Sequence, residues 1–173
     1  MTIHPEYDVA IIGGGLAGLS TAIQLSNKGH SVILFEKGKY PFHKVCGEYI
    51  SLESWDFICS LGIPLNEMNL PLIDQFILTS PKGKSFTTKL PLGGFGISRF
   101  KLDAMLCHIA KHSGVTIVED SKVEEVKFHS NFQVDFQPGQ SNIVAKVCCA
   151  AFGKRSNLDV KWNRSFLQSH DKN

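Results

Sequence analysis

The chain has 173 residues, of which 43% are hydrophobic and 20% are charged, and this length suffices for one hydrophobic core with a small appended subdomain. The formal charge of +2 is small and the basic residues are scattered, which excludes the basic surface typical of nucleic-acid-binding proteins. The five cysteines show no Cys-x-x-Cys spacing, and this usage favours a reducing compartment over a disulfide-stapled secreted domain.

The start of the chain predicts a cytoplasmic protein. The first apolar run begins within a few residues of Met1, which leaves no room for a secretory signal peptide. The longest apolar stretch, Val9 to Leu19, is interrupted by glycines and is too short to span a bilayer. We therefore predict no transmembrane segment, and any membrane contact would be peripheral.

A strand, a glycine-rich turn, a helix, a second strand and an acidic residue open the chain in that order. Val9 to Ile12 has the apolar character of a buried strand, and Leu16 to Lys28 has helical periodicity. Ser31 to Phe35 reads as the second strand, and Glu36 follows at its end. This order is typical of the βαβ unit that binds dinucleotides.

The glycine spacing gives each position of the turn a physical role. Gly13, Gly15 and Gly18 follow the Gly-x-Gly-x-x-Gly pattern: the first allows a sharp turn, the second lets a pyrophosphate approach the backbone, and the third lets the helix lie close to the sheet. Glu36 can accept hydrogen bonds from an adenosine ribose and would repel a 2′-phosphate, and Lys37 beside it is a further cofactor-binding candidate. The pattern does not separate FAD from NAD, and a glycine-rich turn without a nucleotide is the structural alternative.

The remaining chain predicts an α/β fold: a Rossmann-like FAD/NAD(P)-binding domain with a parallel sheet, an inserted β-hairpin and a β-meander. In chain order we predict a helix at Leu52 to Leu61, hairpin strands at Leu72 to Thr79 and Ser85 to Leu90, a loop at Pro91 to Gly96, a helix at Arg99 to His112, and strands at Val115 to Val118, Lys122 to Phe128, Phe132 to Phe136 and Ile143 to Ala151. The FAD-binding domain would span 1–158, with 72–90 as the start of a substrate-side β region, and 159–173 would be a frayed or truncated tail.

At Lys44-Val-Cys-Gly-Glu48 the chain resembles the geranylgeranyl-reductase-like branch of FAD-dependent oxidoreductases, which share the p-hydroxybenzoate-hydroxylase type of FAD fold. The resemblance covers nearly the whole chain and is carried by four places: the glycine fingerprint with Glu36, the Cys46-Gly47-Glu48 loop, Ile97-Ser-Arg-Phe-Lys-Leu-Asp103, and Ala150-Ala-Phe-Gly-Lys-Arg-Ser156.

The resemblance implies roles for four further residues. It implies that Cys46 and Gly47 lie near the isoalloxazine ring, with Cys46 the candidate catalytic residue, and that Arg99 contacts the cofactor near its ribityl and phosphate part. Near Val123 it implies backbone groups against the adenine. A cysteine of no consequence and a solvated arginine at a helix start are the structural alternatives for Cys46 and Arg99.

The chain departs from the family in two respects. Phe152 stands where the family has an aspartate that helps organise the flavin and nicotinamide sites, which weakens the case for direct NADPH use, although NAD(P)H could reduce the complete enzyme. Family members are also about twice as long on domain-size grounds, so the chain is expected to lack their later Gly-Asp motif and substrate-covering sheet. We therefore expect an FAD-binding portion that is inactive alone and that self-associates through an exposed apolar face.

The resemblance implies an FAD-dependent oxidoreductase that moves a hydride or activates oxygen at the flavin, on a lipid-like, pigment-like or aromatic small molecule. The alternatives are an FAD-dependent monooxygenase or halogenase, a non-catalytic dinucleotide-binding fragment or module, and an NAD-dependent dehydrogenase. The β-rich second half of the chain argues against the dehydrogenase. No metal site is expected, because the seven histidines show no convergent ligand spacing.

Overall fold

The structure is a computed structural model that describes residues 5–137, 141–153, 158–162 and 164. The chain divides into two units, Met1–Lys39 with Ala110–Asn173, and Tyr40–Ile109. Within the described ranges, none of the helices combines the length and the apolar character needed to cross a membrane.

The first unit is built on a six-stranded sheet. Its elements are β1 (Glu6–Ile12), α1 (Leu16–Asn27), β2 (Val32–Phe35), β6 (Thr116–Val118), β7 (Val123–Phe128), β8 (Phe132–Phe136), β9 (Ser141–Ala150) and α4 (Leu158–Lys161). The strand order is β6-β2-β1-β9-β8-β7. The first four strands in that order pair in parallel, while β7, β8 and β9 form an antiparallel meander.

One hydrophobic cluster of the first unit joins the parallel strands to the meander. Ile12 and Phe35 from β1 and β2 share one apolar cluster with Val134 and Phe136 from β8. The rings of Phe35 and Phe136 are 4.6 Å apart between centroids, although β2 and β8 are not neighbours in the sheet. The sheet therefore curls so that the meander covers one face of the parallel strands, as the strong twist of large sheets allows.

Helix α1 packs by its buried residues Leu19, Ala22 and Ile23, which recur at the spacing of one helical face. Its end is closed by Gly29, whose φ of +85° is a left-handed conformation that glycine adopts without strain. The helix thus begins directly after the glycine turn and returns the chain to β2, as the sequence predicts.

The second unit contains a three-stranded antiparallel sheet and the start of a long helix. Its elements are β3 (Tyr49–Ser51), a 3-10 turn (Leu52–Ser54), α2 (Trp55–Ser60), a second 3-10 turn (Leu65–Glu67), β4 (Leu72–Thr79), β5 (Ser85–Gly96) and α3 (Arg99–His112), whose last turn belongs to the first unit. The strand order is β3-β5-β4. The Ser98 hydroxyl accepts a hydrogen bond from the Lys101 N–H at 3.2 Å and caps α3.

The predicted fold class is confirmed, and so are the hairpin of β4 and β5, the helix at Arg99–His112 and the meander. One prediction was wrong: Pro91 to Gly96 is not a loop, because β5 continues to Gly96. Gly94 pairs with Ser51 and with Ile73, and a Cβ at Gly94 would overlap the Tyr49 ring. The glycine therefore permits close strand packing rather than a turn.

Two elements, β3 and α4, were not predicted from the sequence. Strand β3 has three residues and forms only by pairing with β5. In α4, Leu158 is buried in the core cluster, and Trp162, which follows the helix, packs against that cluster. Residues 163 and 165–173 of the predicted tail lie outside the described residues, and so do residues 154–157 before α4.

Candidate functional site

The turn from β1 into α1 requires glycine at its first position. Gly13 has a φ of +104°, and a Cβ built there would lie 2.5 Å from the carbonyl oxygen of Ala151. Its N–H donates to the carbonyl of Phe35 at 2.8 Å. The turn is therefore fixed at the carboxyl ends of β1 and β2, the edge at which open parallel sheets bind ligands.

The other two glycines of the fingerprint differ in what surrounds them. Gly15 caps α1, and a Cβ there would meet no protein atom within 4 Å. A Cβ on Gly18 would overlap the carbonyl oxygen of Gly13. Gly18 is therefore required for contact between the helix and the turn, whereas the space beside Gly15 is open to a ligand.

The first turn of α1 is suited to an anion. It contains no acidic residue, and no side chain caps it, so the backbone N–H groups and the positive end of the helix dipole face outward from the helix end. A diphosphate is the kind of anion that such a helix start binds.

Glu36 is a buried carboxylate at the end of β2, with only 6% of its surface exposed. Its Oε2 accepts a hydrogen bond from the Gly14 N–H at 2.9 Å, and its Oε1 accepts one from the Gly38 N–H at 3.0 Å. Because a carboxylate has about four acceptor positions, an oxygen that accepts one backbone N–H is chemically able to accept a second hydrogen bond. These residues fit the adenosine end of FAD, the group that the sequence predicts there.

The first unit contains two other candidate residues, Lys37 and Val123. Lys37 follows it and is exposed. Val123 is buried in the core cluster, two residues after Ser121, whose N–H donates to the Glu36 carbonyl at 2.9 Å. Since the Val123 side chain is committed to the core, only its backbone is available to a ligand.

Three predicted site residues belong to the second unit. Cys46 and Gly47 are exposed, and the Cys46 sulfur accepts a hydrogen bond from the Glu48 N–H at 3.4 Å. A Cβ at Gly47 would meet no protein atom within 4 Å. The loop that carries them therefore presents both a thiol and an unobstructed stretch of backbone.

Arg99, the predicted cofactor contact, forms an ion pair within its own helix. Its Nε donates to Asp103 Oδ1 at 2.7 Å and its Nη2 donates to Oδ2 at 2.8 Å, which is the bidentate geometry of a strong ion pair. The hydrogen bond with Asp103 raises the pKa of Arg99, burial opposes this effect, and interactions with Asp103 and Cys46 add to it. One edge of the guanidinium is thus already occupied by Asp103.

Sequence reasoning missed Asp103 and Lys44. Asp103 is 2% exposed, and Lys44 Nζ lies 3.2 Å from its Oδ2. The spacing of Arg99 and Asp103, four residues apart in a predicted helix, was a signal for their pairing. Nothing local in the sequence indicated the contact with Lys44.

Phe152 forms an aromatic contact in this structure, at the position where the resemblance implies an aspartate. Its ring lies 5.7 Å from that of Trp162 in an edge-to-face arrangement, and both side chains pack against the core cluster. Among the described residues, no group of three or more His, Cys, Asp or Glu side chains could hold a metal ion.

Comparison with known proteins agrees with this geometry. Residues 8–44 match the family model described as FAD dependent oxidoreductase. The chain is 28% identical over 174 residues to conditioned medium factor receptor 1 of Dictyostelium discoideum, covering 87% of this chain and 34% of that protein. It is 32% identical over 101 residues to the digeranylgeranylglycerophospholipid reductase of Sulfolobus acidocaldarius, covering 50% of this chain and 21% of that protein.

The fold is shared with solved flavoproteins. A variant of the halogenase PltM, solved in complex with FAD, superposes with a TM-score of 0.75 at 20% identity, covering 91% of this chain and 36% of that one. The chain thus spans about a third of the length of these proteins, or less. Over residues 8–44 the chain is therefore similar to FAD-dependent oxidoreductases, and its fold is that of the solved flavoprotein.

Proposed function

We propose that the first unit binds the ADP moiety of FAD at the carboxyl ends of β1 and β2. The observation that carries the proposal is the position of Glu36, whose carboxylate is hydrogen-bonded to Gly14 and Gly38 beside an unobstructed helix start. A carboxylate so fixed is preorganised to accept ribose hydroxyls, and preorganisation reduces the entropy lost on binding.

Each residue of this site has a separate role in the proposal. Gly13 and Gly18 set the turn, and Gly15 leaves room for the pyrophosphate over the N–H groups of α1. Glu36 accepts from the ribose, with Lys37 beside it as a further cofactor-binding residue, and the backbone near Val123 borders the adenine. The negative charge of Glu36 disfavours a 2′-phosphate, so FAD is preferred to NADP.

For the second unit we propose Cys46, Gly47 and Arg99 as flavin-side residues, an assignment supported by the resemblance and by the exposure of the Cys46 loop. Bound FAD supplies hydride transfer or oxygen activation. Gly47 admits a flat ring to the backbone, Cys46 offers a polarisable neighbour, and Arg99 contributes positive charge. The substrate proposed for the whole protein is a lipid-like, pigment-like or aromatic small molecule, with NAD(P)H as the reductant, in the cytoplasm.

A titration of this chain with FAD, ADP and FMN tests the proposal. Because the adenosine and diphosphate contacts lie in the first unit, ADP and FAD are expected to bind with similar, modest affinity, and FMN is expected to bind more weakly. Flavin fluorescence reports FAD and FMN, and calorimetry reports ADP. Tighter binding of FMN than of FAD, or no binding of ADP, would overturn the proposal.

We further propose that the chain by itself performs no turnover. The supporting observation is that it corresponds to 34% of the length of the Dictyostelium relative, so most of such a protein lies outside the matched part. A non-catalytic dinucleotide-binding module is the second candidate function, supported by the same observation. Flavin-dependent oxidation of NADH or NADPH by the purified chain alone would contradict both.

The proposed domain organisation keeps 1–158 as the FAD-binding domain, with 72–90 facing the substrate side. Within it, β4 and β5 carry an exposed apolar face formed by Phe76, Leu78 and Phe86, which are 47%, 59% and 60% exposed. Leu78 and Phe86 lie directly opposite each other. We propose self-association through this face, since exposed apolar patches commonly drive association.

A further inference from the structure

The hairpin of β4 and β5 extends beyond the rest of its sheet. Strand β3 pairs with β5 only at Gly94, Phe95 and Gly96, so within the described structure residues 75–89 form a ladder of two strands and their turn. All of these residues except Ser80 are exposed. A hairpin of two strands is at best marginally stable in water by itself. This segment, called the distal hairpin below, therefore presents side chains on both of its faces.

The distal hairpin carries large apolar side chains on both faces. Phe76, Leu78 and Phe86 form the exposed apolar face described above. Because successive side chains of a strand alternate between faces, Ile77 lies on the opposite face, where it is 61% exposed. A protein partner lying flat on the first face would leave Ile77 in water, whereas the interface of a lipid layer can surround both faces.

The charge of the same segment has one sign. The chain has 16 acidic residues, but none lies between Gln75 and Leu102. In the distal hairpin Lys82, Lys84 and Lys89 are exposed, and none of the ion pairs in the described part of the chain involves them. Lysines beside exposed apolar residues are the combination that binds a peripheral segment to an anionic lipid surface.

The turn fixes two of these lysines at the end of the hairpin. The Ser80 N–H donates to the carbonyl of Lys84 at 2.8 Å, and the Gly83 N–H donates to the carbonyl of Ser80 at 3.0 Å. Gly83, between Lys82 and Lys84, has a φ of +78°, which glycine adopts without strain. The backbone of the turn is thus already ordered, which reduces the entropy lost when it docks.

We propose that the distal hairpin docks on an anionic lipid surface. Its end enters the interface with Ile77, Leu78 and Phe86, and the long side chains of Lys82 and Lys84 reach the phosphate-bearing headgroups. Self-association, proposed above, occupies one of the two faces when no lipid is present, so a membrane competes with the second copy. The inference goes beyond the proposed function, because docking does not involve FAD.

Flotation with lipid vesicles tests the proposal. The chain should float with vesicles of equal parts phosphatidylserine and phosphatidylcholine, and much less with vesicles of phosphatidylcholine alone. Lys82→Glu/Lys84→Glu, in an exposed turn that tolerates the change, should bind the anionic vesicles more than about tenfold more weakly, since each lysine adds to the attraction. Equal binding by the parent and this variant, or no binding by the parent, would overturn the proposal.

A matched variant separates the hairpin from net charge. Lys28→Glu/Lys122→Glu makes the same change in charge at two exposed positions of the first unit. It should bind the anionic vesicles as tightly as the parent does. Equal weakening in the two double variants would contradict a specific role for the distal hairpin.

Ile77→Ser separates a lipid surface from a second copy. Because Ile77 lies on the face that self-association leaves open, the variant should bind anionic vesicles at least about fivefold more weakly, with an unchanged oligomer distribution in sedimentation velocity. A change in the oligomers without a change in vesicle binding would make a second copy the occupant and overturn the proposal. These assays contain no flavin, so failure to bind FAD would count against the proposed function and leave this inference standing.

Discussion

The carboxylate of Glu36 accepts a hydrogen bond from the backbone N–H of Gly14 at 2.9 Å. The acid at the end of β2 is therefore part of the turn between β1 and α1, even before any ligand is considered. This relationship gives Glu36 two roles, one in the stability of the turn and one in recognition of the ribose, and the two can be separated by measurement.

Glu36→Gln should weaken both roles. A glutamine presents an NH₂ group to one of the two backbone N–H donors, which leaves that donor unsatisfied in a buried site. We expect a loss of about 1–3 kcal/mol in the free energy of unfolding, measured by urea denaturation, and weaker ADP binding by calorimetry. Glu6→Gln, at the exposed opposite end of β1, is the control and should change neither quantity. Unaltered stability and ADP affinity in Glu36→Gln would refute the assignment.

Gly15→Val should weaken nucleotide binding without unfolding the protein. Because a Cβ at Gly15 meets no protein atom within 4 Å, the branched side chain would fill only the space proposed for the pyrophosphate. ADP and FAD affinity should each fall more than about tenfold, or about 1.4 kcal/mol. Gly47→Val is the matched control, since Gly47 is equally unobstructed: it should spare ADP and affect FAD alone. Equal loss of ADP binding in both variants would contradict the separate roles of the two glycines.

Gly18→Ala should destabilise the fold, although alanine is the better helix former. The added Cβ would overlap the Gly13 carbonyl oxygen, and neither backbone can move without disturbing the turn. Overpacking of this kind costs about 1–3 kcal/mol, which thermal denaturation would show. Gly15→Ala places its Cβ in open space. It should lower the free energy of unfolding by less than about 1 kcal/mol. A more stable Gly18→Ala variant would show that the close contact is absent.

Cys148 should make the protein less stable at alkaline pH. Burial, with a contribution from the Cys149 charge, raises the pKa of Cys148 from 9.0 to about 12. Between these values the unfolded chain releases the proton while the folded chain retains it, so stability is complete below about pH 9 and falls as pH rises. In that range the free energy of unfolding of the parent should fall by up to about 1.4 kcal/mol more per pH unit than that of Cys148→Ser. Urea denaturation measures the free energy of unfolding of both proteins from pH 9 to 11. An equal change of this free energy with pH in the parent and in Cys148→Ser would contradict the prediction.

Phe86→Lys should reduce self-association. It places a charge on the apolar face formed with Phe76 and Leu78, and burying that charge between two copies would be costly. Sedimentation velocity over a concentration series should show less oligomer than for the parent. Phe128→Lys, which replaces another exposed aromatic residue that is 63% exposed on the first unit, should leave the distribution unchanged. Identical behaviour of the parent and Phe86→Lys would exclude this face as the contact.

The sequence by itself determined the features that depend on neighbouring residues. The spacing of Gly13, Gly15 and Gly18 located the turn, and the structure confirms Gly13 in a left-handed conformation. The periodicity of Arg99–His112 located α3 to the residue. Such features are local, because a glycine conformation or a helical face is set by residues within a few positions along the chain.

Tertiary structure alone decided how distant segments meet. Strand β9 lies between β1 and β8, and no local pattern indicates which strands become neighbours. Gly94 stands in a strand because β5 pairs there with β3 and β4, whereas its neighbours in sequence suggested a loop. Lys44 meets Asp103 because the fold closes the Cys46 loop onto α3, and a buried carboxylate stabilises only the arrangement that brings its cations to it.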